Sequence, residues 1–209
     1  MSIENIVFDM GNVILKYDVD AMLDSFSLTD DEKNILLEKI FLSPLWKDAD
    51  RGYGFRDVLF HETVKEFSEK LRKVFYALCA VYDFELRFMP LNDGISELIA
   101  DLKAAGYNVY LLSNVGLGFH LLKEKCPVFS QFDGFYISCD YGYIKPEKEA
   151  YETFFSMFSL SPEKCLFIDD SPENISGSEM AGMAAILYDM RKESVDILRN
   201  KLSKKNILN

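Results

Sequence analysis

The chain has 209 residues, of which 49% are hydrophobic and 14% aromatic; 23 lysines and arginines against 34 aspartates and glutamates give a net charge of −11. A core-forming composition of this length fills one large domain, or one domain carrying a smaller inserted one, and excludes global disorder. The acidic balance, with no basic cluster beyond Lys204-Lys205, speaks against nucleic acid and anionic membrane surfaces as partners.

Residues 3–8 (IENIVF) are a short apolar, β-branched run ending in Asp9-Met10-Gly11-Asn12, which reads as a strand entering a tight turn. The segment 17–88 has no strand pattern and much helical spacing. Within it Thr29-Asp30-Asp31-Glu32 is a capping-box signature, and 55–71 and 71–82 read as helices. We expect a helical cap domain over 17–88, inserted into a core formed by 1–16 and 89–209. The longest apolar run, 74–82, falls well short of the roughly 18 residues a membrane span needs.

Beyond the insertion, 93–105 carries apolar residues at 95, 98, 99 and 102, a helical spacing closed by Gly106. Four further strands are predicted at 107–113, 132–138, 164–168 and 184–188. Helices are predicted at 151–158, from the Ser171-Pro172-Glu173 start to near Gly182, and over 192–204. The alternation predicts an α/β fold with a Rossmann-like parallel sheet and helices on both faces.

The N-terminus carries Glu4 and Asp9 and no basic leader, so no signal peptide is expected. Cys79, Cys126, Cys139 and Cys165 form no Cys-x-x-Cys pair. With only His61 and His120 beside them, they read as isolated thiols rather than a zinc site, in a cytoplasmic protein.

In an open parallel sheet, ligands bind outside the carboxyl ends of the strands. Asp9 follows the first predicted strand, Ser113-Asn114 end the second, Lys145 lies beyond the third, and Asp169-Asp170 follow the fourth. Singly, each has a bland reading: a turn former, a loop residue, a solvated charge. Adjacent carboxylates after an apolar strand are more telling, because they repel unless a positive group neutralises them.

Four segments, FDMGNV (8–13), LLSN (111–114), KPE (145–147) and FIDDSPEN (167–174), resemble the motifs of the haloacid dehalogenase-like hydrolase superfamily, in the same order. The resemblance spans the chain, since the insertion sits where that family places its cap. It implies a magnesium-dependent phosphatase acting on a small phosphorylated metabolite. By that resemblance Asp9 is the nucleophile that forms an aspartyl-phosphate. Ser113 binds a phosphoryl oxygen, and Lys145 holds nucleophile and phosphoryl group together. Asp170 binds magnesium with the Asp9 carboxylate and the Gly11 carbonyl. Asn12 and Asn114 are expected in substrate binding. Asp169 is expected to support the metal or pair with Lys145, and Asn174 either to orient the aspartate pair or simply to sit in the first helical turn.

Most phosphatases of this superfamily carry an acid–base aspartate two residues after the nucleophile, where this chain has Gly11. The Asp-x-Gly-Asn-Val pattern resembles a bacterial subgroup acting on sugar phosphates such as glucose 1-phosphate. Glycine cannot protonate a leaving alkoxide, so good leaving groups, a water, or a cap carboxylate such as Asp18 or Asp20 would have to compensate. A non-catalytic phosphate-binding protein is the rival reading; a phosphomutase or a metal-free haloacid dehalogenase fits less well. Trp46, Asp48, Arg51, Tyr53 and Phe55 are expected in a turn with Gly52 and Gly54. That turn either faces the site and selects substrate, or holds cap core (Trp46, Phe55) and a surface charge (Arg51).

Overall fold

The structure, a computed structural model, describes residues 2–84 and 89–208, with no side chains described for 80–84. The expected end of the cap, 85–88, lies outside the described residues.

Among the described residues, strand β1 (Asn5–Phe8) is followed by the α-helices α1 (Val19–Asp24), α2 (Asp30–Leu36), α3 (Pro44–Asp50), α4 (Arg56–Leu59), α5 (His61–Lys65) and α6 (Glu69–Phe84), with a π-helical turn (Leu37–Phe41) continuing α2. Then come α7 (Ile95–Ala104), β2 (Asn108–Ser113), α8 (Phe119–Lys125), β3 (Gly134–Ile137), α9 (Ser138–Tyr141) and α10 (Lys148–Phe158). β4 (Cys165–Asp169), α11 (Pro172–Met180), β5 (Ala184–Leu187) and α12 (Val195–Ser203) complete the chain. All pairings in the sheet are parallel, in the order β3-β2-β1-β4-β5. The α/β architecture and the helical insert after the first strand are as the sequence predicts.

Period-two alternation sends strand side chains to opposite faces. Ile6, Phe8, Val109, Leu111, Leu166 and Ile168 pack with Leu98, Ile99 and Leu102 of α7 and Leu198 and Leu202 of α12. Val7, Leu112, Tyr136 and Phe167 pack with Tyr151 and Phe154 of α10. The order reverses at β1, which lies between β2 and β4. This puts the crevice beyond the carboxyl ends of these strands.

Three local expectations need correction. Residues 55–71 are not one helix: the chain breaks after α4 and again before α6. The breaks let Phe60, Val64 and Phe67 all reach the buried core, Phe60 against Phe75 with ring centroids 5.9 Å apart. The last helix starts at Val195 rather than 192, because the backbone N–H groups of Lys192 and Glu193 are held by the Asp189 carbonyl in a turn. Trp46 and Asp48 belong to helix α3, with Arg51 as its C-cap, and only the following residues form the glycine-containing turn. Elsewhere the local chemistry acts as read: Thr29 and Glu32 form the full capping box, and Gly106 follows α7 with φ of 92°.

The chain leaves and rejoins the sheet region side by side. Leu15 bridges Leu91, the Lys16 N–H donates to the Pro90 carbonyl at 2.9 Å, and Asn92 N–H to Ile14 at 2.8 Å. Helix α3 docks back over the sheet's carboxyl edge. Arg51 forms a two-pronged ion pair with Glu147 and donates to the Gly142 carbonyl at 2.9 Å. Next to it, Gly52 has φ of 78°, and a Cβ there would lie 2.1 Å from the Cys139 carbonyl oxygen, so only glycine allows this approach.

Candidate active site

Each strand end contributes one element. Asp9 follows β1, Ser113 ends β2, and Asp169 ends β4 with Asp170 just beyond it. Lys145 arrives from the loop between α9 and α10. Its side chain is 2% exposed, and its ammonium lies 2.6 Å from Asp9 Oδ1 and 2.7 Å from Asp169 Oδ2.

Burial pushes the Asp9 carboxyl up, Lys145 pulls it back, and the Asp169 charge pushes it up again; the net direction is upward. For Lys145, burial works against the charged form, but Asp169 and Asp9 outweigh it and raise its pKa. Lys145 therefore stays protonated between the two carboxylates.

Asp169 is saturated from several sides. It accepts the Ser171 N–H at 2.8 Å, and Asn174 Nδ2 lies 3.1 Å from each of its oxygens. Asn174 thus sits in the first turn of α11 with its side-chain amide turned to Asp169. Its own carbonyl accepts the Tyr151 hydroxyl at 2.8 Å, which ties it to α10. Asp170 is raised by burial and by Asp169, against the hydrogen bond from Asn12 and the charge of Arg191. Asn12 Nδ2 and Arg191 Nη2 both lie 3.1 Å from Asp170 Oδ2.

Two residues expected in substrate binding have other contacts. Asn12 turns to Asp170, and its Oδ1 caps the Tyr17 N–H at 3.1 Å; it does not line the cleft. Asn114 does line the cleft, but its amide clamps the Lys145 backbone in both directions, at 2.8 and 2.9 Å.

A cleft of about 210 Å³ opens over Asp9, Gly11, Ser113 and Lys145. Its walls include Met10, Tyr17, Trp46 and Met89, together with Asp50 from the end of α3. A Cβ at Gly11 would have only Asp9 Oδ2, at 3.9 Å, within 4 Å of it. One carboxylate oxygen from each of Asp9, Asp169 and Asp170 lies within 4.8 Å of the other two, a spacing that suits a hard cation with oxygen ligands.

The cap residues separate. Trp46 is partly buried, faces the cleft and has the Arg56 guanidinium 4.4 Å above its ring. Phe55 is exposed and therefore not cap core, while Arg51 is a latch to Glu147 and not a loose surface charge. Asp18 caps α1 through the Ala21 N–H and pairs with Lys16, which holds its carboxyl below the usual range; Asp20 is exposed. Neither lines the cleft. His61 is exposed at the surface, and His120 pairs with Asp140 at 3.0 Å. None of the four cysteines is joined in a disulfide among the described residues.

Asp50 and the Asp189–Arg191 pair are not among the residues singled out from the sequence. Asp189 follows the predicted fifth strand, so the strand-end rule reaches it. Asp50 sits at the end of a cap helix that the sequence does not distinguish from a turn.

The family model described as haloacid dehalogenase-like hydrolase matches residues 3–182. The sesquiterpene phosphatase astK of Aspergillus oryzae is 26% identical over 183 residues, 86% of this chain and 87% of that protein. The D-ribitol-5-phosphate phosphatase of Bacteroides thetaiotaomicron is 26% identical over 185 residues, 83% and 85% of the two chains. Among solved structures, a HAD family enzyme of Bacteroides thetaiotaomicron in complex with magnesium and inorganic phosphate superposes with a TM-score of 0.69. The match has 22% identity and covers 95% of this chain and all of that one, a likeness of fold.

Proposed function

We propose, from the premise that the chain belongs to the haloacid dehalogenase-like hydrolase family, that it is a magnesium-dependent phosphatase of small phosphate monoesters. The observation that carries this reading is the buried Lys145 ammonium, 2.6 Å from Asp9 at the floor of the cleft. A carboxylate so held attacks phosphorus without a base, and Lys145 and Ser113 bind phosphoryl oxygens. The product of the first step is an aspartyl-phosphate on Asp9, which water then opens.

The carboxylate cluster fits magnesium. Three acidic groups share Lys145 and the half-exposed Arg191; burial first, and the neighbouring Asp169 charge after it, push Asp9 and Asp170 toward protonation, a cost that a bound cation would offset. Asp169 is already taken by Lys145, Ser171 and Asn174. Asp9 and Asp170 would therefore hold the ion, joined by the Gly11 carbonyl as the family resemblance implies. Magnesium, when bound, offsets negative charge on the phosphoryl group. That a similarly folded enzyme binds magnesium and inorganic phosphate supports this assignment.

The substrate we infer is a phosphorylated sugar or polyol, in line with the ribitol-phosphate relative and the Asp-x-Gly-Asn-Val pattern. The walls formed by Met10, Tyr17, Trp46 and Met89 favour a second reading, an apolar organic phosphate such as a terpenyl ester, in line with the other relative. A panel of sugar, polyol, aryl and prenyl phosphates on the purified chain with magnesium tests both. Hydrolysis that disappears in Asp9→Asn and with chelator supports the enzyme. Binding of phosphate without turnover of any ester supports the non-catalytic rival.

A further inference from the structure

We propose that Asp50, the last residue of α3, is the catalytic proton donor and acceptor for the leaving-group oxygen, serving from the cap where Gly11 has no side chain. The inference rests on the phosphatase reading and deepens it. Among the described residues lining the cleft, Asp9 and Asp50 are the two that carry carboxyl groups, and Asp9 is occupied as the nucleophile.

The position is built rather than incidental. The Asp50 carbonyl accepts the Ser138 hydroxyl at 2.6 Å, which fixes the end of α3 to the start of α9 beside the sheet's carboxyl edge. One residue on, Arg51 is clamped to Glu147, two residues from Lys145. The Arg56 guanidinium stands 3.8 Å from Asp50 Oδ1. The side chain is 13% exposed, so it remains accessible from the cleft while largely withdrawn from bulk water.

The charge environment suits the role. Burial raises the Asp50 carboxyl to about 6, against the opposing pull of Arg56. Besides Arg56, the titratable and charged groups around it are the Cys139 thiol on α9, Tyr17, Asp9 and Lys145 around the cleft, and Lys47, Arg51 and Glu147 on its outer side. An acid with a pKa near the working pH exchanges protons most effectively in both directions. Asp18, held low by Lys16 and outside the cleft, lacks both properties.

The proton balance closes over two steps. As an Asp9 oxygen bonds to phosphorus, the phosphorus–oxygen bond to the leaving group breaks. Its electron pair goes to that oxygen, and the Asp50 proton joins it to give the alcohol. Water then attacks phosphorus, its proton passes to the Asp50 carboxylate, and the bond to Asp9 breaks. Phosphate leaves, with both aspartates restored.

The test compares the full chain with Asp50→Asn, in magnesium, on a primary alkyl phosphate and on p-nitrophenyl phosphate. On the alkyl ester, kcat should fall about 10²–10⁴-fold. The first-turnover release of nitrophenolate, which needs no proton, should fall less than tenfold. The alkaline limb of kcat/KM on the alkyl ester should disappear in the variant. Gly11→Asp added to Asp50→Asn should restore at least tenfold on the alkyl ester, by returning an acid to the cleft. If the parent hydrolyses both esters and Asp50→Asn changes neither rate nor pH profile, Asp50 is not the acid and the phosphatase reading stands. If the parent hydrolyses neither, the phosphatase reading falls and the proposal with it.

Discussion

Lys145 places its ammonium 2.6 Å from the Asp9 carboxylate across 136 residues of sequence. Both groups are buried, and the same ammonium holds Asp169. Removing the cation leaves two carboxylates facing each other out of water. Lys145→Met should abolish turnover and cost about 3–5 kcal/mol of stability in metal-free buffer at pH 8. The loss should shrink toward acid pH, because a protonated Asp9 needs no partner. Urea titrations in EDTA at both pH values measure this; a variant as stable as the parent at pH 8 contradicts it.

Asp50 predicts a pH dependence of stability with a definite sign. Its folded pKa is raised from 3.8 to about 6, so its contribution is full below the unfolded value and is lost as pH rises through the folded one. Between about pH 4 and 6.5, metal-free parent should lose roughly 1–3 kcal/mol relative to Asp50→Asn. The difference between their urea-unfolding curves across that window is the readout. Parallel curves would show that folding does not shift the carboxyl's pKa.

Asp170 tests the metal assignment. Magnesium at a hundred times its dissociation constant should stabilise the parent by about 2.7 kcal/mol, seen as a rise in Tm. Asp170→Asn should lose most of that rise together with activity, while Asn12→Ala, which frees Asp170 from one hydrogen bond, should weaken metal binding without abolishing it. An unchanged magnesium shift in Asp170→Asn would remove it from the ligand set.

Much of this site is legible where apolar runs stop. Asp9, Ser113 and the Asp169-Asp170 pair stand at strand ends, and the parallel sheet brings strand ends together whatever the loops do. Ser171 and Pro172 announce α11, and Asn174 falls in its first turn, which is why its alternative roles cannot be separated without seeing it face Asp169. The cap is less legible. Its short helices are divided by the need to bury Phe60, Val64 and Phe67 together, a tertiary demand that helical spacing does not encode. Asp50 is silent in sequence for the same reason: its role depends on Ser138, 88 residues away.

The latch between Arg51 and Glu147 predicts a kinetic effect rather than a stability one. Both side chains are partly exposed, so the pair should contribute no more than about 1 kcal/mol. Glu147 also accepts the Ile144 N–H at 3.2 Å, next to Lys145, so the latch sets where α3 sits over the cleft. Arg51→Ala should lower kcat/KM by up to about 10²-fold with a small change in Tm. A variant that loses stability but keeps its kcat/KM would make the latch purely structural.

Everything proposed for this site turns on Asp9 carrying the phosphoryl group. Acid quenching during turnover with magnesium, followed by peptide mass spectrometry, tests it most directly. Phosphate is expected on the peptide bearing Asp9, absent with chelator and absent in Asp9→Asn. Steady hydrolysis with no phosphate on Asp9 at any quench time, or full activity in Asp9→Asn, would contradict it.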